Sequence, residues 1–276
     1  MANNIENALY IVATPIGNLD DITLRALDVL KNVDIIASED TRNTSVLLEK
    51  YSISTKLISY HKFSENQRKE LFLDYLKSGK SIALVTDAGT PLISDPGNIL
   101  VDEVYKNNFK IIPTPGACAP ITLLSATSRQ DEDFKFIGFI SRIENQILDI
   151  VSKNKYENLI FYESPNRLLS TLSIIAKEYP KKTITVGREL TKKFEEIKKD
   201  NIKNIINYYT KNTLKGEIAV LLHKDKEKEE IDILEKIKKL KKLNLKDKEI
   251  SSILSVLFNV NKNDVYKICL ENKKGS

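Results

Sequence analysis

"LVTDAGTPLISDPG", residues 84–97, decides how this chain is read. It leaves an apolar run, "SIALVT" (81–86), and meets Gly89, Pro91, Pro96 and Gly97 before any helix can start. Glycine permits backbone conformations closed to other residues, and proline fixes φ while removing a donor. α/β proteins bind ligands outside the carboxyl ends of parallel strands, so a turn this restricted at a strand tip is a candidate binding loop. Two more strand exits share the design. "YIVATPIGNLDDIT" (10–23) carries Pro15 and Gly17, and "IIPTPGACAP" (111–120) ends in small residues. One such loop reads as an ordinary tight turn, but three together predict a single cleft.

Working outward, apolar runs at 8–13, 33–38, 56–60, 81–86 and 109–114 alternate with helical patterns at 21–32, 41–51, 65–79, 97–108 and 117–128. This β-α-β-α order predicts an α/β fold with a mostly parallel sheet. The polar segment "RQDED" (129–133) marks a boundary. Beyond it, strands at 134–140, 158–164, 182–190 and 216–223 alternate with helices near 143–154, 165–178 and 201–211, predicting a second, smaller α/β domain. After His223 the composition turns to "KDKEKEE", and three short amphipathic helices follow at 230–243, 246–258 and 263–271. The expected organisation is therefore 1–130, 131–223 and 224–276. The last segment reads either as a helix-turn-helix or as a three-helix cap, since both give the same apolar pattern.

The 276-residue composition, 41% hydrophobic and 29% charged, is that of a soluble globular protein, and no apolar run approaches the roughly 20 residues of a membrane helix. The polar stretch before the first strand has no signal-peptide pattern, and two distant cysteines with two histidines suggest neither a disulfide framework nor a metal site. A cytoplasmic location is expected. Residues 224–276 hold 14 Lys against 10 Asp or Glu, most of the chain's formal net charge of +5. A basic tail suits a polyanion such as nucleic acid, and equally a solvated helical face.

No loop matches a phosphate cradle. GxxxxGK[ST] is absent and the first loop reads A-T-P-I-G-N, so the dinucleotide fingerprint is missing too. A ligand held by backbone groups without a polyphosphate fits better, and adenosine with a short zwitterionic tail is one.

"TPIGNLDDITLRAL", "SEDTR", "LISYHKFSE", "DAGTPLISDPG", "PTPGACA" and "LIFYESPNRLL…VGRELTKKFEE" resemble the tetrapyrrole methylase superfamily. Within it they resemble the ribosomal branch, whose members methylate a cytidine 2′-hydroxyl in the decoding region of small-subunit (16S) rRNA. The resemblance runs from about Leu9 to His223, and the terminal helices resemble that branch's helix-turn-helix extension. It implies two α/β domains with S-adenosylmethionine between them, a homodimer, and the small ribosomal subunit or its RNA as partner. A methyltransferase of a tetrapyrrole or other small molecule, and a non-catalytic ribosome-assembly protein, are the alternatives. Two departures stand out: "ATSRQDEDF" replaces the family's Ser-Gly-Leu-Pro, and Asn43 stands where "EDTRHT" has histidine.

Carried over by position, the resemblance puts the cofactor against Pro15 and Gly17 of the first loop and Asp87, Ala88, Gly89, Thr90 and Ile93 of the second. It adds Cys118 and Ala119 of the third, then Tyr162, Glu163, Glu217 and Ile218 of the second domain.

A ribose hydroxyl is a weak nucleophile at neutral pH, so a base or an alkoxide-stabilising cation is needed. Glu39, Asp40 and Arg42 follow the second strand and His61 the third, at the edge that carries the loops. Either a carboxylate takes the proton while Arg42 grips phosphate, or Asp40 caps the next helix and Glu39 pairs with Arg42. His61 is either a base or a hydrogen-bonded structural residue. Asp87 and Asp95 suit holding their own loop through backbone amides. Arg25, Arg42, Lys62, Arg167, Arg188 and Lys192 are the candidate phosphate contacts, and Tyr60 and Phe63 are placed to stack on a splayed base.

Overall fold

The structure is a computed structural model and describes residues 5–61, 65–129, 133–212, 214–225, 233–243, 245–258 and 260–271. Residues 1–224 form one compact unit and 225–276 another. Residues 130–132, inside the expected boundary, lie outside the described residues, as do Lys62 and Phe63.

In the first unit, β1 (Ala8–Val12), β2 (Ile35–Ser38), β3 (Lys56–Ser59), β4 (Ile82–Val85) and β5 (Lys110–Thr114) form a wholly parallel sheet in the order β3-β2-β4-β1-β5. Every residue of β1, β2 and β4 is buried, as strands covered on both faces require, and this is why they read as unbroken apolar runs. Alternate residues of β1 serve the two faces: Ala8, Tyr10 and Val12 pack into one core, Leu9 and Ile11 into the other.

The covering helices are α1 (Leu24–Asn32), α2 (Thr41–Lys50), α3 (Glu65–Lys77), α4 (Asn98–Lys106) and α5 (Ala119–Ser125). Local caps set their starts. Thr23 Oγ1 accepts the Ala26 N–H at 3.1 Å, and Asp40 Oδ1 accepts the Arg42 N–H at 2.9 Å. The helix expected from residue 21 divides into a 3₁₀ turn at Leu19–Asp21, capped by Asn18, and then α1. Tyr60 corrects an expectation. It is fully buried, edge-on to Phe72 at 5.4 Å between ring centres, with its hydroxyl donating to Glu65, so it serves the core and cannot stack on a base.

The second sheet is mixed: β6 (Phe134–Phe139), β7 (Asn158–Glu163), β8 (Thr183–Arg188), β9 (Glu196–Asn201) and β10 (Ile218–Leu222), in the order β6-β7-β10-β8-β9. β6 runs parallel to β7, β10 runs antiparallel to β7 and β8, and β9 antiparallel to β8. Its helices are α6 (Glu144–Lys153), α7 (Pro165–Glu178) and α8 (Ile202–Thr210). β9, "EIKKDN", is a strand outside the expected elements, because it holds a single apolar residue among charged and polar ones. It is an edge strand, where such charges discourage pairing with another chain. Glu196 ties it inward by accepting the hydroxyls of Tyr208 and Tyr209, both at 2.7 Å.

The two sheets join through an apolar seam in which Ile16, Leu123 and Leu124 meet Ile160, Leu190, Ala219 and Leu221. The unit at 225–276 contains α9 (Ile233–Lys241), α10 (Asp247–Phe258) and α11 (Lys262–Glu271), which close on Ile237, Ile250, Leu254, Val265 and Cys269. Among the described residues no helix is long and apolar enough to cross a membrane.

His223, at the end of β10, is buried with Nε2 at 2.8 Å from the Thr185 hydroxyl. Burial, with Lys199 and Lys182 nearby, lowers its pKa to about 4. The unfolded chain therefore takes up this proton first, and stability must fall as pH drops from about 6.5 to about 4. Urea unfolding should show His223→Gln losing roughly 1–3 kcal/mol less than the parent across that window. Parallel losses in the two proteins would contradict a buried neutral ring.

Candidate active site

The three restricted loops leave β4, β1 and β5, which are neighbours in the sheet. Their backbones are bonded to one another. Thr14 donates to the Gly89 carbonyl at 2.9 Å and Gly89 returns a bond to the Thr14 carbonyl at 3.0 Å. The Thr14 hydroxyl reaches the Thr86 carbonyl at 3.3 Å, and the Thr90 hydroxyl reaches the Ala117 carbonyl at 2.9 Å. Gly116 passes so close to Ala13 that an added Cβ would stand 2.8 Å from the Ala13 methyl.

The loop after β4 takes left-handed conformations at Gly89 (φ 87°), Leu92 (69°), Ser94 (74°) and Gly97 (132°). Each non-glycine residue there costs on the order of 1–3 kcal/mol, a strain found mainly where function demands a set geometry. The far end is fastened by the Gly97 N–H, which donates to the buried Glu65 carboxylate at 2.7 Å.

The opposite wall belongs to the second sheet. Glu189, at φ 51°, donates its N–H to the Glu217 carbonyl and accepts the Glu217 N–H, both at 3.0 Å. Lys192 Nζ joins Glu189 at 2.9 Å and Glu217 at 2.8 Å. Gly216 is required here, since a Cβ would stand 2.0 Å from Glu189 Oε1.

These walls enclose a cavity of about 390 Å³, within the range of small-molecule sites. From the loop after β4, Asp87, Ala88, Gly89, Thr90 and Ile93 line it, as do Cys118 and Ala119 at the head of α5. Tyr162, Glu163, Glu217 and Ile218 line the second wall. Of the expected cofactor contacts, Pro15 and Gly17 are set back from the cavity, and Ile16 between them faces it. Ser94, Asp95, Phe139, Gly187, Leu190 and Gly216 also line it. Phe139 and Leu190 are not among the expected contacts, although Leu190 lies within the "VGRELTKKFEE" motif, and they are brought in by the β6 bulge and by the left-handed turn at Glu189.

Five acidic side chains, Glu39, Asp87, Asp95, Glu163 and Glu217, line the cavity, and no Lys, Arg or His does so among the described residues. Burial raises the Asp95 pKa to about 7, helped by the Glu39 and Asp87 carboxylates and opposed by a hydrogen bond from Thr86. Burial also raises Glu39, with Asp87 next in importance, and raises Asp87 and the Cys118 thiol. Glu163 is fully committed, accepting from the Ser164 N–H at 2.7 Å and Thr171 Oγ1 at 2.6 Å and pairing with Arg167 at 3.1 Å.

The remaining candidates lie around this cavity. Glu39 is on its wall; Asp40, Arg42 and His61 are not. Asp40 caps α2 and, in place of Glu39, pairs with Arg42 at 2.5 Å, which together hold its carboxyl down at about 2. Asn43, at the family's histidine position, hydrogen-bonds the Asp87 carboxylate through its side chain. His61 is exposed. Arg25 is exposed on α1 and Arg42 is 88% exposed, whereas Arg167 is held by Glu163 and the Ser141 carbonyl, and Arg188 lies 3.7 Å from Glu196. Lys192 is the strut between Glu189 and Glu217.

The residues present fit S-adenosylmethionine. Ile16, Tyr162, Leu190 and Ile218 offer apolar surface for a nucleoside, and Gly89 leaves a space beside Ile16 that a side chain would fill. The carboxylates suit a ligand carrying sulfonium and ammonium charges, and they repel phosphates.

A profile of the family described as Tetrapyrrole (Corrin/Porphyrin) Methylases matches residues 8–206. Ribosomal RNA small subunit methyltransferase I of Halalkalibacterium halodurans is 38% identical over 95% of this chain and 94% of its own. The proteins of that name from Pasteurella multocida and Escherichia coli O157:H7 are 40% and 39% identical, each over 98% of this chain and 99% and 97% of their own. Among solved structures, cobalt precorrin-4 methyltransferase superposes with a TM-score of 0.59 at 17% identity, covering 79% of this chain and 95% of that one. A diphthine synthase superposes at 0.64 with 13% identity, covering 78% and 89%.

Gly89→Ala would place a Cβ 3.3 Å from Ile16 on a backbone at φ 87°. Calorimetric titration with S-adenosylmethionine should show at least about fivefold weaker binding, because the free turn relaxes and the roughly 1–3 kcal/mol of a left-handed non-glycine residue is then met on binding. Unchanged affinity in a folded variant would remove this turn from the binding wall.

Proposed function

We propose that this chain, which belongs to the tetrapyrrole methylase family, uses S-adenosylmethionine to methylate small-subunit ribosomal RNA, at the 2′-hydroxyl of a cytidine. The observation that carries this reading is full-length similarity, at 38–40% identity, to proteins named for that RNA. The acid-lined cavity supports the cofactor assignment, because its walls favour a cation and its loops lack a phosphate cradle. The solved structures, at 13–17% identity, speak for the fold alone.

When bound, S-adenosylmethionine supplies an electrophilic methyl group on a sulfonium. The protein's contribution is alignment. The loops after β1, β4 and β5 fix one wall, Glu189 and Lys192 fix the other, and positioning of this kind supplies up to roughly 7–11 kcal/mol in favourable cases. The carboxylates repel RNA phosphates, so only the uncharged ribose and base fit inside. Exposed Arg25 and Arg42 would hold the backbone outside, positioning rather than reading sequence. The helices of 225–276 add a basic surface for the same partner. A cytoplasmic homodimer acting on the small subunit completes the proposal.

The test supplies labelled cofactor with small subunits or deproteinised 16S rRNA lacking the modification, followed by nucleoside mass spectrometry. The expected product is 2′-O-methylcytidine from at least one of the two. Label on a base, or none in either RNA despite cofactor binding, would contradict the reading.

A further inference from the structure

Five carboxylates line the cavity, and their partners sort them. Glu163 is filled by Ser164, Thr171 and Arg167. Glu217 is neutralised by Lys192 at 2.8 Å. Asp87 accepts the Asp40 N–H at 3.0 Å and a bond from the Asn43 side chain. Glu39 accepts a backbone bond from Asp87. Asp95 and Glu39 are the two left with a single hydrogen bond and no cation acting on them, Asp95 receiving its bond from the Thr86 side chain, and it is placement that separates Asp95 from Glu39.

Its placement is also distinctive. Asp95 directly follows the left-handed Ser94 and sits two residues before Gly97, whose N–H is pinned to Glu65. A hydrogen-bonded surface turn does not need two strained non-glycine residues, but aiming one side chain into a cavity does. The facing titratable groups are Glu39 beyond β2, Asp87 beyond β4, Cys118 at the head of α5 and Tyr162 on β7. Burial first, and then the Glu39 and Asp87 carboxylates, lift the proton affinity of Asp95 to about 7, a range in which a general base works well.

Resting on the ribose reading above, we infer that Asp95 is the proton acceptor for the attacking 2′-hydroxyl. As the ribose oxygen bonds to the methyl carbon, the carbon–sulfur bond breaks with its electron pair going to sulfur. The hydroxyl proton passes to Asp95, which becomes a neutral carboxylic acid. Thr86 is a positioning residue: its hydroxyl lies 3.4 Å from the Ala88 carbonyl and within reach of the Asp95 carboxyl, where it favours the charged form that accepts the proton. Solvent reclaims the proton after product leaves.

The test compares the parent, Asp95→Asn and Thr86→Val on the same modification-deficient RNA. It reads kcat/KM against pH, cofactor Kd by calorimetry, and the Asp95 carboxyl titration by 13C NMR in the free protein. The parent should lose rate tenfold per pH unit on the acid side, and the free carboxyl should titrate near 7. Asp95→Asn should be roughly 10²–10⁴-fold slower and lack that acid limb, with cofactor Kd changed by less than about threefold. Thr86→Val should move the limb to higher pH, a shift that a purely structural role would not produce. If Asp95→Asn retains a rate within about fivefold, or loses cofactor affinity in proportion to rate, the inference is overturned, the second outcome making Asp95 a cation-holding group. A parent that forms no 2′-O-methylcytidine overturns the ribose reading itself, and the assignment falls with it.

Discussion

Two backbone hydrogen bonds between Thr14 and Gly89 set the geometry on which the cleft depends. β1 and β4 are adjacent parallel strands, and beyond their last ladder bonds the two exits would ordinarily diverge. The reciprocal pair carries the contact past the sheet edge and turns Gly89 into the left-handed conformation that starts the loop. Leu92, Ser94 and Gly97 then follow a path that delivers Asp95 to the cavity, and the Glu65 carboxylate closes it. Glycine is needed at 89 for its φ and at 116 for close approach to Ala13, so two contacts with the loop after β1 account for two of the glycines.

The electrostatics divide inside from outside. The cavity wall is acidic, while the groups that can meet a polyanion, Arg25, Arg42 and the lysines of 225–276, are elsewhere on the surface or in the separate terminal unit. On the proposed function, the cationic cofactor and the anionic polymer would meet separate fields. On that same reading, the acidic wall favours the sulfonium ligand and leaves room only for the uncharged part of a nucleotide. Several cations expected to grip RNA proved to be internal ties instead: Arg167 to Glu163, Arg188 to Glu196, and Lys192 to Glu189 and Glu217. The ties on Glu163 and Glu217 belong to the second wall of the cavity, while Arg188 and Glu196 join β8 to β9.

Much of this was legible in the sequence, for physical reasons that also explain the failures. Strands buried on both faces must be apolar throughout, so β1, β2 and β4 announced themselves. Pro and Gly breaks marked the loops, and the motif match named most of the first wall. β9 escaped because an edge strand can be mostly charged, and what ties it inward is its pairing with β8 and the Tyr208 and Tyr209 hydroxyls on the next helix. Tyr60 misled because an aromatic beside a histidine at a strand exit looks like a stacking platform until its burial is known. Asp95 looked like a loop-fastening aspartate, since nothing local reveals which carboxylates find partners. Asp87 did, through Asp40 and Asn43, and Asp95 instead faced Glu39 and Asp87.

The central claim is that the cleft between the two sheets of residues 1–224 holds the methyl donor. The most direct measurement is an experimental structure with S-adenosylmethionine bound. The nucleoside should lie against Ile16, Leu190 and Ile218, with the sulfonium on the side of Glu39 and Asp87 and its methyl group directed toward Asp95. Ligand density at any other place, or bound with the sulfonium turned away from those carboxylates, would contradict it.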